Sequence, residues 1–165
     1  MGRFIPLFFV YMGLIVTSSF RLPGFYRFTD FLGQQTATLS YWLLSGFSDG
    51  VRVVGKTVSF NGFNVIVIGE CAGLMEFMMF SAAVIAYPAR WRSRLIGLLL
   101  GIPILFGFNV FRIMGLLVIG KYEPTLFNFA HIYLWQGTMV LMIGGLWIAW
   151  VRFVVLGNDR APLHS

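Results

Sequence analysis

Long apolar runs with very few charged residues constrain this 165-residue chain more than any other feature. Hydrophobic residues make up 58% of the chain and charged residues 11%, against about 25% charged residues in soluble domains. With a mean hydropathy of +0.82, the chain carries more apolar surface than a globular core of this length can bury. We therefore expect an all-α integral membrane protein whose main solvent is lipid.

The apolar runs predict about four transmembrane helices. The expected spans cover about residues 4–20, 72–88, 95–119 and 130–153. Residues 1–156 are expected to form a single membrane domain, and residues 157–165 a cytoplasmic tail. The first run lacks an Ala-x-Ala cleavage signal, which favours an uncleaved helix over a signal peptide. In the third span, Gly97 and Gly101 have the GxxxG spacing that permits close helix packing.

The segment over about residues 21–70 differs in pattern from the spans and is predicted to be extracytoplasmic. From Phe28 to Leu43, apolar residues recur at helical spacing with polar residues between them, which is typical of a helix on a membrane surface. From Val51 to Ile68, β-branched residues dominate, and Asn61-Gly62 is a dipeptide preferred in tight hairpin turns. We predict an amphipathic helix and a short β-hairpin of two strands before the second span. These strands offer a surface with which an extended substrate can pair.

Basic residues flank the apolar runs, and their placement indicates the orientation of the chain. The net charge of +6 is best explained by topology and lipid head groups, so the expected partner is the bilayer and not nucleic acid. Arg90, Arg92 and Arg94 lie in one short loop between two spans. Because positive charges beside span ends stay on the cytoplasmic side, both termini are predicted to be cytoplasmic.

Cys71 is the only cysteine of the chain, which excludes an intramolecular disulfide, a CxxC pair and a multi-cysteine zinc cluster. Counted from the basic residue that anchors each helix at the inner face, Cys71, Arg112 and His131 lie 19, 18 and 21 residues away. At about 1.5 Å per residue these separations are roughly 28, 27 and 32 Å, close to the roughly 30 Å hydrocarbon thickness. All three side chains are therefore predicted to lie at the outer boundary of the membrane.

A thiol, a guanidinium and an imidazole at one depth can act together on one bond. A nearby Arg⁺ or His⁺, or a helix beginning just after Cys71, favours the reactive thiolate. The imidazole of His131 can protonate a leaving amine, and Arg112 can hold the oxyanion of a tetrahedral intermediate. This chemistry is acyl transfer through a thioester. The structural alternatives are a small buried cysteine and a polar histidine at the membrane interface.

Three further residues are candidates for supporting roles: Glu70, Gly73 and Asn109. A charge inside a span costs about 2.5 to 3.5 kcal/mol on insertion scales and tends to mark function. For Arg112 the structural alternative is an ion pair with Glu70 or Glu76. Asn109 lies three residues before Arg112 on the same helix face, so it is expected to orient that side chain or to bond across helices. Gly73 is expected to permit close approach of backbone at the site.

Cys71 in Glu-Cys-Ala-Gly-Leu, Asn109-Val-Phe-Arg112 and His131-Ile-Tyr-Leu-Trp-Gln-Gly137 resemble, in order and spacing, the motifs of the exosortase/archaeosortase family. The resemblance covers about Val65 to Trp150. It implies a multi-pass membrane cysteine transpeptidase with a Cys, Arg, His triad that processes C-terminal sorting tails. Its short length makes the chain most similar to the exosortase H subgroup, whose substrates carry an Ile-Pro-Thr-Leu-type motif, a membrane helix and a basic end. Ala72 departs from the serine that many members have after the cysteine.

Together, these observations predict a thiol protease or transpeptidase of the bacterial inner membrane, with its site facing the periplasm and with tail-bearing exported proteins as substrates. No metal or other cofactor is expected. Two alternatives stay open. One is a metal-dependent intramembrane hydrolase with Glu70, Cys71 and His131 as ligands, although the chain has no HExxH motif. The other is a non-catalytic membrane subunit in which Arg112 pairs with Glu76.

Overall fold

A computed structural model describes residues 4–69 and 71–159 of the chain. They form a helical assembly that carries one small antiparallel sheet between its second and third helices. The helices are α1 (Phe4–Arg21), α2 (Phe25–Ser45), α3 (Leu74–Ala86), α4 (Trp91–Tyr122), α5 (Pro124–Phe129), α6 (Trp135–Trp150) and α7 (Leu156–Asp159). The strands are β1 (Val51–Val54), β2 (Thr57–Phe60) and β3 (Phe63–Ile66). Two π-helical turns, Ala130–Leu134 and Val151–Val155, join α5, α6 and α7.

Three helices of the described chain are long and apolar enough to cross a membrane. They are α1, α4 and the continuous helix from Pro124 to Val155, of 18, 32 and 32 residues. They contain the first, third and fourth predicted spans. The predicted second span, residues 72–88, corresponds to α3, which has 13 residues. At 1.5 Å per residue α3 is about 20 Å long, shorter than the hydrocarbon core. The count of four spans therefore stays a prediction.

The short length of α3 follows from the backbone at its two ends. Gly73, the residue before its first turn, has a φ of 83°, in the left-handed region. The residue after its last turn, Tyr87, is extended with a ψ of 135°. Tyr87 precedes Pro88, and the proline ring disfavours helical geometry at the residue before it. Apolar composition continues on both sides of α3, but helical backbone does not.

The sheet has three strands in the order β1-β2-β3, where the sequence predicts two. β2 and β3 meet at the predicted Asn61-Gly62 turn, where φ is 47° and 93°. A second two-residue turn at Gly55-Lys56 adds β1. Of that pair only the glycine signals a turn in the sequence, which explains why the pattern alone does not separate β1 from β2.

The amphipathic helix predicted over residues 28–43 lies within α2, and its small residues form the inward face. Phe28, Phe31 and Trp42 are exposed on the outside of the assembly. The buried face consists of Gly33, Thr36, Ala37, Ser40 and Leu44. This face packs on the sheet and on α4, and the apolar face is left for lipid. Lys56 of the sheet donates to Asp30 of α2 at 2.6 Å and adds a polar contact between them.

The sheet is held against the C-terminal half of α4. The Phe63 ring lies directly over Gly120, where a Cβ would overlap the ring. Lys121 Nζ donates to the carbonyl oxygen of Asn61 at 3.3 Å. One buried cluster joins the sheet, α2 and this part of α4, and it also contains Cys71 and Ala72. The segment after β3 is thereby fixed against the C-terminal half of α4.

A second buried cluster holds α3, α4 and α6 together, and the predicted GxxxG pair lies in this helix packing. Gly97 and Gly101 of α4 each face an aromatic ring, Trp150 and Phe80 respectively. Trp150 Nε1 donates to the carbonyl oxygen of Ser93 at 2.8 Å. The two glycines therefore make room for rings of α6 and α3, and do not mark a contact between two helix backbones.

Replacing Gly101 by alanine is expected to destabilise the protein, because the new Cβ would overlap the fully buried Phe80 ring. Overpacking of this kind costs about 1 to 3 kcal/mol. Gly107→Ala in the same helix is the matched control, because nothing lies within 4 Å of its new Cβ and alanine favours helix. Thermal unfolding in detergent measures both variants. A Gly101→Ala midpoint equal to that of Gly107→Ala would contradict this packing.

Candidate active site

Cys71 lies in the turn between β3 and α3. The Val67 N–H donates to the Lys56 carbonyl at 2.9 Å, so ladder pairing extends just past β3. The Ala72 N–H then donates to the carbonyl oxygens of Ile68 and Gly69, at 2.9 and 3.2 Å. This turn brings Cys71 to the N-terminal end of α3, where it is 9% exposed. A helix N-terminus favours negative charge and therefore a thiolate.

Asn109 of α4 holds this turn in place. Its Nδ2 donates to the carbonyl oxygen of Cys71 at 2.9 Å, and the asparagine is fully buried. Asn109 was predicted either to orient Arg112 or to bond to another segment. The structure shows the second, a bond to the turn at Cys71. Gly73 makes this approach possible, because a Cβ there would lie 3.3 Å from Asn109 Cγ and 3.4 Å from Phe77 Cζ. The left-handed φ of Gly73 adds a second reason for glycine at this position.

Arg112 follows Asn109 by one helical turn and is 7% exposed. Its Nη1 lies 3.6 Å from Oε1 of Glu76, which stands in the first turn of α3. Glu76 Oε2 and Arg112 Nε are buried, and neither has a hydrogen-bond partner among the described residues. The pair thus balances charge inside the protein while leaving hydrogen-bonding capacity unused on both side chains.

His131 is presented by the π-helical turn Ala130–Leu134. Its ring stacks on Phe127 with a centroid distance of 5.8 Å and an interplanar angle of 2°. The same helix is seated on α4 through Trp135, whose ring lies against Gly115 so closely that a Cβ there would approach Cζ2 to 2.6 Å. Within the described chain, His131 Nδ1 is buried without a hydrogen-bond partner. The ring is therefore oriented by stacking.

Cys71, Arg112 and His131 all line one cavity of about 710 Å³, and Glu76 lines it with them. The structure thus brings together the three residues that depth counting placed at one level. The remaining lining residues are mostly apolar and come from the α1–α2 junction, the segment after β3, α3 and the last long helix: Phe20, Phe25, Tyr26, Thr29, Ile68, Gly69, Leu74, Met75, Met78, Ile132 and Gln136.

Glu76 and Gln136 line the cavity but were not predicted as site residues. Glu76 was weighed only as an ion-pair partner, although it is the one acid in the first turn of α3. Gln136 follows His131 by five residues, which in an α-helix places the two side chains about 140° apart around the axis. A π-helical turn bonds residue i to i+5 and brings such residues onto one face. Periodicity of 3.6 residues could not have found this pair.

Glu70, predicted as a supporting residue, lies outside the described residues. Asn109 and Gly73 contact each other beside Cys71, as described above, but neither lines the cavity. Among residues 4–69 and 71–159, no group of three or more His, Cys, Asp or Glu side chains is arranged to hold a metal ion. The metal-dependent alternative needs Glu70 as a ligand together with Cys71 and His131, and Glu70 is not among these residues. Metal analysis of the purified protein tests this alternative.

The arrangement combines a thiol, a guanidinium and an imidazole in a mostly apolar, partly enclosed space. Such surroundings strengthen the interaction of a fixed cation with a developing oxyanion. A family model described as "Transmembrane exosortase (Exosortase_EpsH)" matches residues 3–152 of the chain. Searches of curated proteins and of solved structures found no match.

Asn109→Leu is expected to destabilise the protein by about 1 to 3 kcal/mol, because it leaves the buried carbonyl of Cys71 without its donor. The loosened turn also exposes Cys71, so its alkylation by iodoacetamide becomes faster. Since the chain has one cysteine, labelling reports on this residue alone. Asn128→Leu, at an exposed position, is the control. Unchanged stability and labelling in Asn109→Leu would show that the bond does not hold the turn.

Proposed function

The chain belongs to the transmembrane exosortase family, and from this we propose that it is a membrane cysteine transpeptidase or protease that cleaves C-terminal sorting signals of exported proteins. The observation that carries the proposal is that Cys71, Arg112 and His131 line one cavity. The proposed orientation follows the arginine loop at residues 90–94, with both termini in the cytoplasm and the cavity at the periplasmic face of the inner membrane.

In the proposed reaction, the thiolate of Cys71 attacks the carbonyl carbon of the scissile peptide bond. A carbon–sulfur bond forms, and the carbonyl oxygen becomes an oxyanion stabilised by the guanidinium of Arg112. The intermediate collapses to a thioester as the carbon–nitrogen bond breaks, and His131 gives a proton to the departing amine. An acceptor nucleophile (water, an amine or a glycolipid) then attacks the thioester and gives its proton to His131, and the carbon–sulfur bond breaks to release the thiolate.

Glu76 is proposed to position Arg112 for this reaction. The 3.6 Å ion pair occupies one side of the guanidinium and restrains it at the cavity wall. The guanidinium carries five N–H donors, so the contact of Nη1 with Glu76 leaves others for an oxyanion in the cavity that Arg112 lines. The apolar lining suits the membrane-proximal part of a tail, and the tail's own helix would lie in the bilayer beside the bundle.

A second candidate function is supported by the same ion pair. A buried Arg112–Glu76 pair also suits a non-catalytic membrane subunit in which the two charges stabilise the helices. If this alternative holds, Cys71→Ser folds and functions normally, while Arg112→Ala fails to accumulate in the membrane. If the chain is the proposed enzyme, Cys71→Ser accumulates normally in the membrane but no longer processes its substrate.

Cys71→Ala is expected to abolish processing, because no other thiol is present to form the thioester. The assay co-expresses the enzyme with an exported, epitope-tagged reporter that ends in an Ile-Pro-Thr-Leu-type motif, an apolar helix and an arginine cluster, and follows reporter size on a blot. Arg112→Ala and His131→Ala are expected to reduce processing strongly at equal membrane levels. Continued cleavage by Cys71→Ala would refute the mechanism.

Glu76→Gln is expected to lower the processing rate about 10- to 100-fold, because the guanidinium loses its charged restraint while the side-chain shape is retained. A second readout separates positioning from general damage. Removing one negative charge from the cavity favours the thiolate, so alkylation of Cys71 by iodoacetamide at constant pH should become faster. Slower processing together with slower alkylation and reduced membrane levels would indicate a structural role instead.

A further inference from the structure

The edge of the sheet nearest the cavity presents unpaired backbone groups. β3 is an outer strand, paired only with β2. The Val67 N–H donates to the Lys56 carbonyl, which fixes the parity of the ladder. Odd-numbered residues of this strand therefore direct their backbone groups toward β2, and even-numbered residues direct theirs to the outer side. The outward-directed residues are Asn64, Ile66 and Ile68.

Apart from the carbonyl of Ile68, these outward-directed backbone groups have no hydrogen-bond partner among residues 4–69 and 71–159. No backbone or side-chain hydrogen bond reaches the N–H groups of the three residues, and the carbonyl of Ile68 is the one acceptor among them already used, by the Ala72 N–H. The residues are also open on the sheet face, since Ile66 is 60% and Ile68 47% exposed. An unpaired edge of this kind is a template for a further strand.

The edge is continuous with the cavity. Ile68 and Gly69 line the cavity together with Cys71, and the turn that begins at Ile68 carries Cys71. A chain laid along β3 thus passes into the cavity at the level of the thiol. The opposite edge of the sheet is formed by β1, which lies on the far side of β2 from β3. No β1 residue lines the cavity, so this edge does not lead into it.

We propose that the outer edge of β3 binds the extended segment of the substrate that precedes the scissile bond, as an added fourth strand. The inference rests on the proposed function. The tail's apolar helix satisfies its own backbone groups, so the segment that can pair is the one on the N-terminal side of that helix. Main-chain hydrogen bonds to Asn64, Ile66 and Ile68 then hold the acyl part in place after the C-terminal fragment leaves.

Disulfide trapping tests the pairing without requiring catalysis. Asn64→Cys is placed in a Cys71→Ala enzyme, so that the new thiol is the only one. The reporter described above carries single cysteines at successive positions before its apolar helix. The segment that precedes the scissile bond would run parallel to β3, because both chains lead toward Cys71. Neighbouring strands lie about 4.7 to 4.9 Å apart, and successive side chains alternate between faces. Cross-linking is therefore expected at every second reporter position over at least two repeats.

Three outcomes overturn the inference: no cross-links to a reporter that the wild-type enzyme processes, cross-links without alternation, and predominant links between two enzyme chains, which would indicate a second copy on the edge. The proposed function fails separately. Alternating cross-links combined with continued cleavage by Cys71→Ala would leave the added strand intact and remove the thioester mechanism.

Proline substitution gives the functional counterpart. Ile66→Pro removes one outward N–H without breaking the β2–β3 ladder, since that N–H is not used in it. Processing is expected to fall about tenfold, equivalent to the loss of one or two hydrogen bonds. Val53→Pro, which removes an outward N–H on the β1 edge, is the matched control and is expected to process normally. Equal effects of the two prolines, or normal processing by Ile66→Pro, would contradict the proposal.

Discussion

The hydrogen bond from Asn109 to the carbonyl of Cys71 is the contact on which the site geometry depends. Cys71 belongs to a turn, and turns are positioned only by what holds them. Asn109 belongs to a 32-residue helix and stands one helical turn before Arg112. The bond therefore fixes the turn that carries the Cys71 thiol to the helix that carries the Arg112 guanidinium. Because Gly73 lacks a Cβ, the turn can come close enough for the bond to form.

The buried charges set a second constraint. An unpaired guanidinium in a low-dielectric interior is costly, and removing one partner of a buried pair costs about 3 to 5 kcal/mol. Glu76 reduces the cost for Arg112, yet the contact is 3.6 Å long and leaves atoms of both side chains without partners in the described chain. A cation held in the cavity that Cys71 also lines suits a reaction that develops negative charge, as the proposed function requires.

The sequence was sufficient where lipid and helix geometry decide the structure. Spans at residues 4–20, 95–119 and 130–153 lie within long apolar helices. Cys71, Arg112 and His131, which the residue counts predicted to lie at one depth, line one cavity. The sequence was insufficient where local backbone or packing decides. The left-handed Gly73 and Pro88 shorten α3, and a weak turn at Gly55-Lys56 hides a strand. The inward face of α2 consists of small residues that hydrophobic periodicity overlooks.

The two sides of the cavity differ in how firmly they are held. Arg112 and Glu76 stand on helices that share buried clusters with the rest of the protein. The facing wall comes from Phe20, Phe25 and Tyr26, at the junction of α1 and α2, and α1 has no buried residue. Phe20 and Tyr26 are 61% and 69% exposed, so the described protein covers little of that wall. The thiol, the guanidinium and the imidazole thus lie opposite an open apolar wall, which is the approach that the proposed function requires for a membrane-anchored tail.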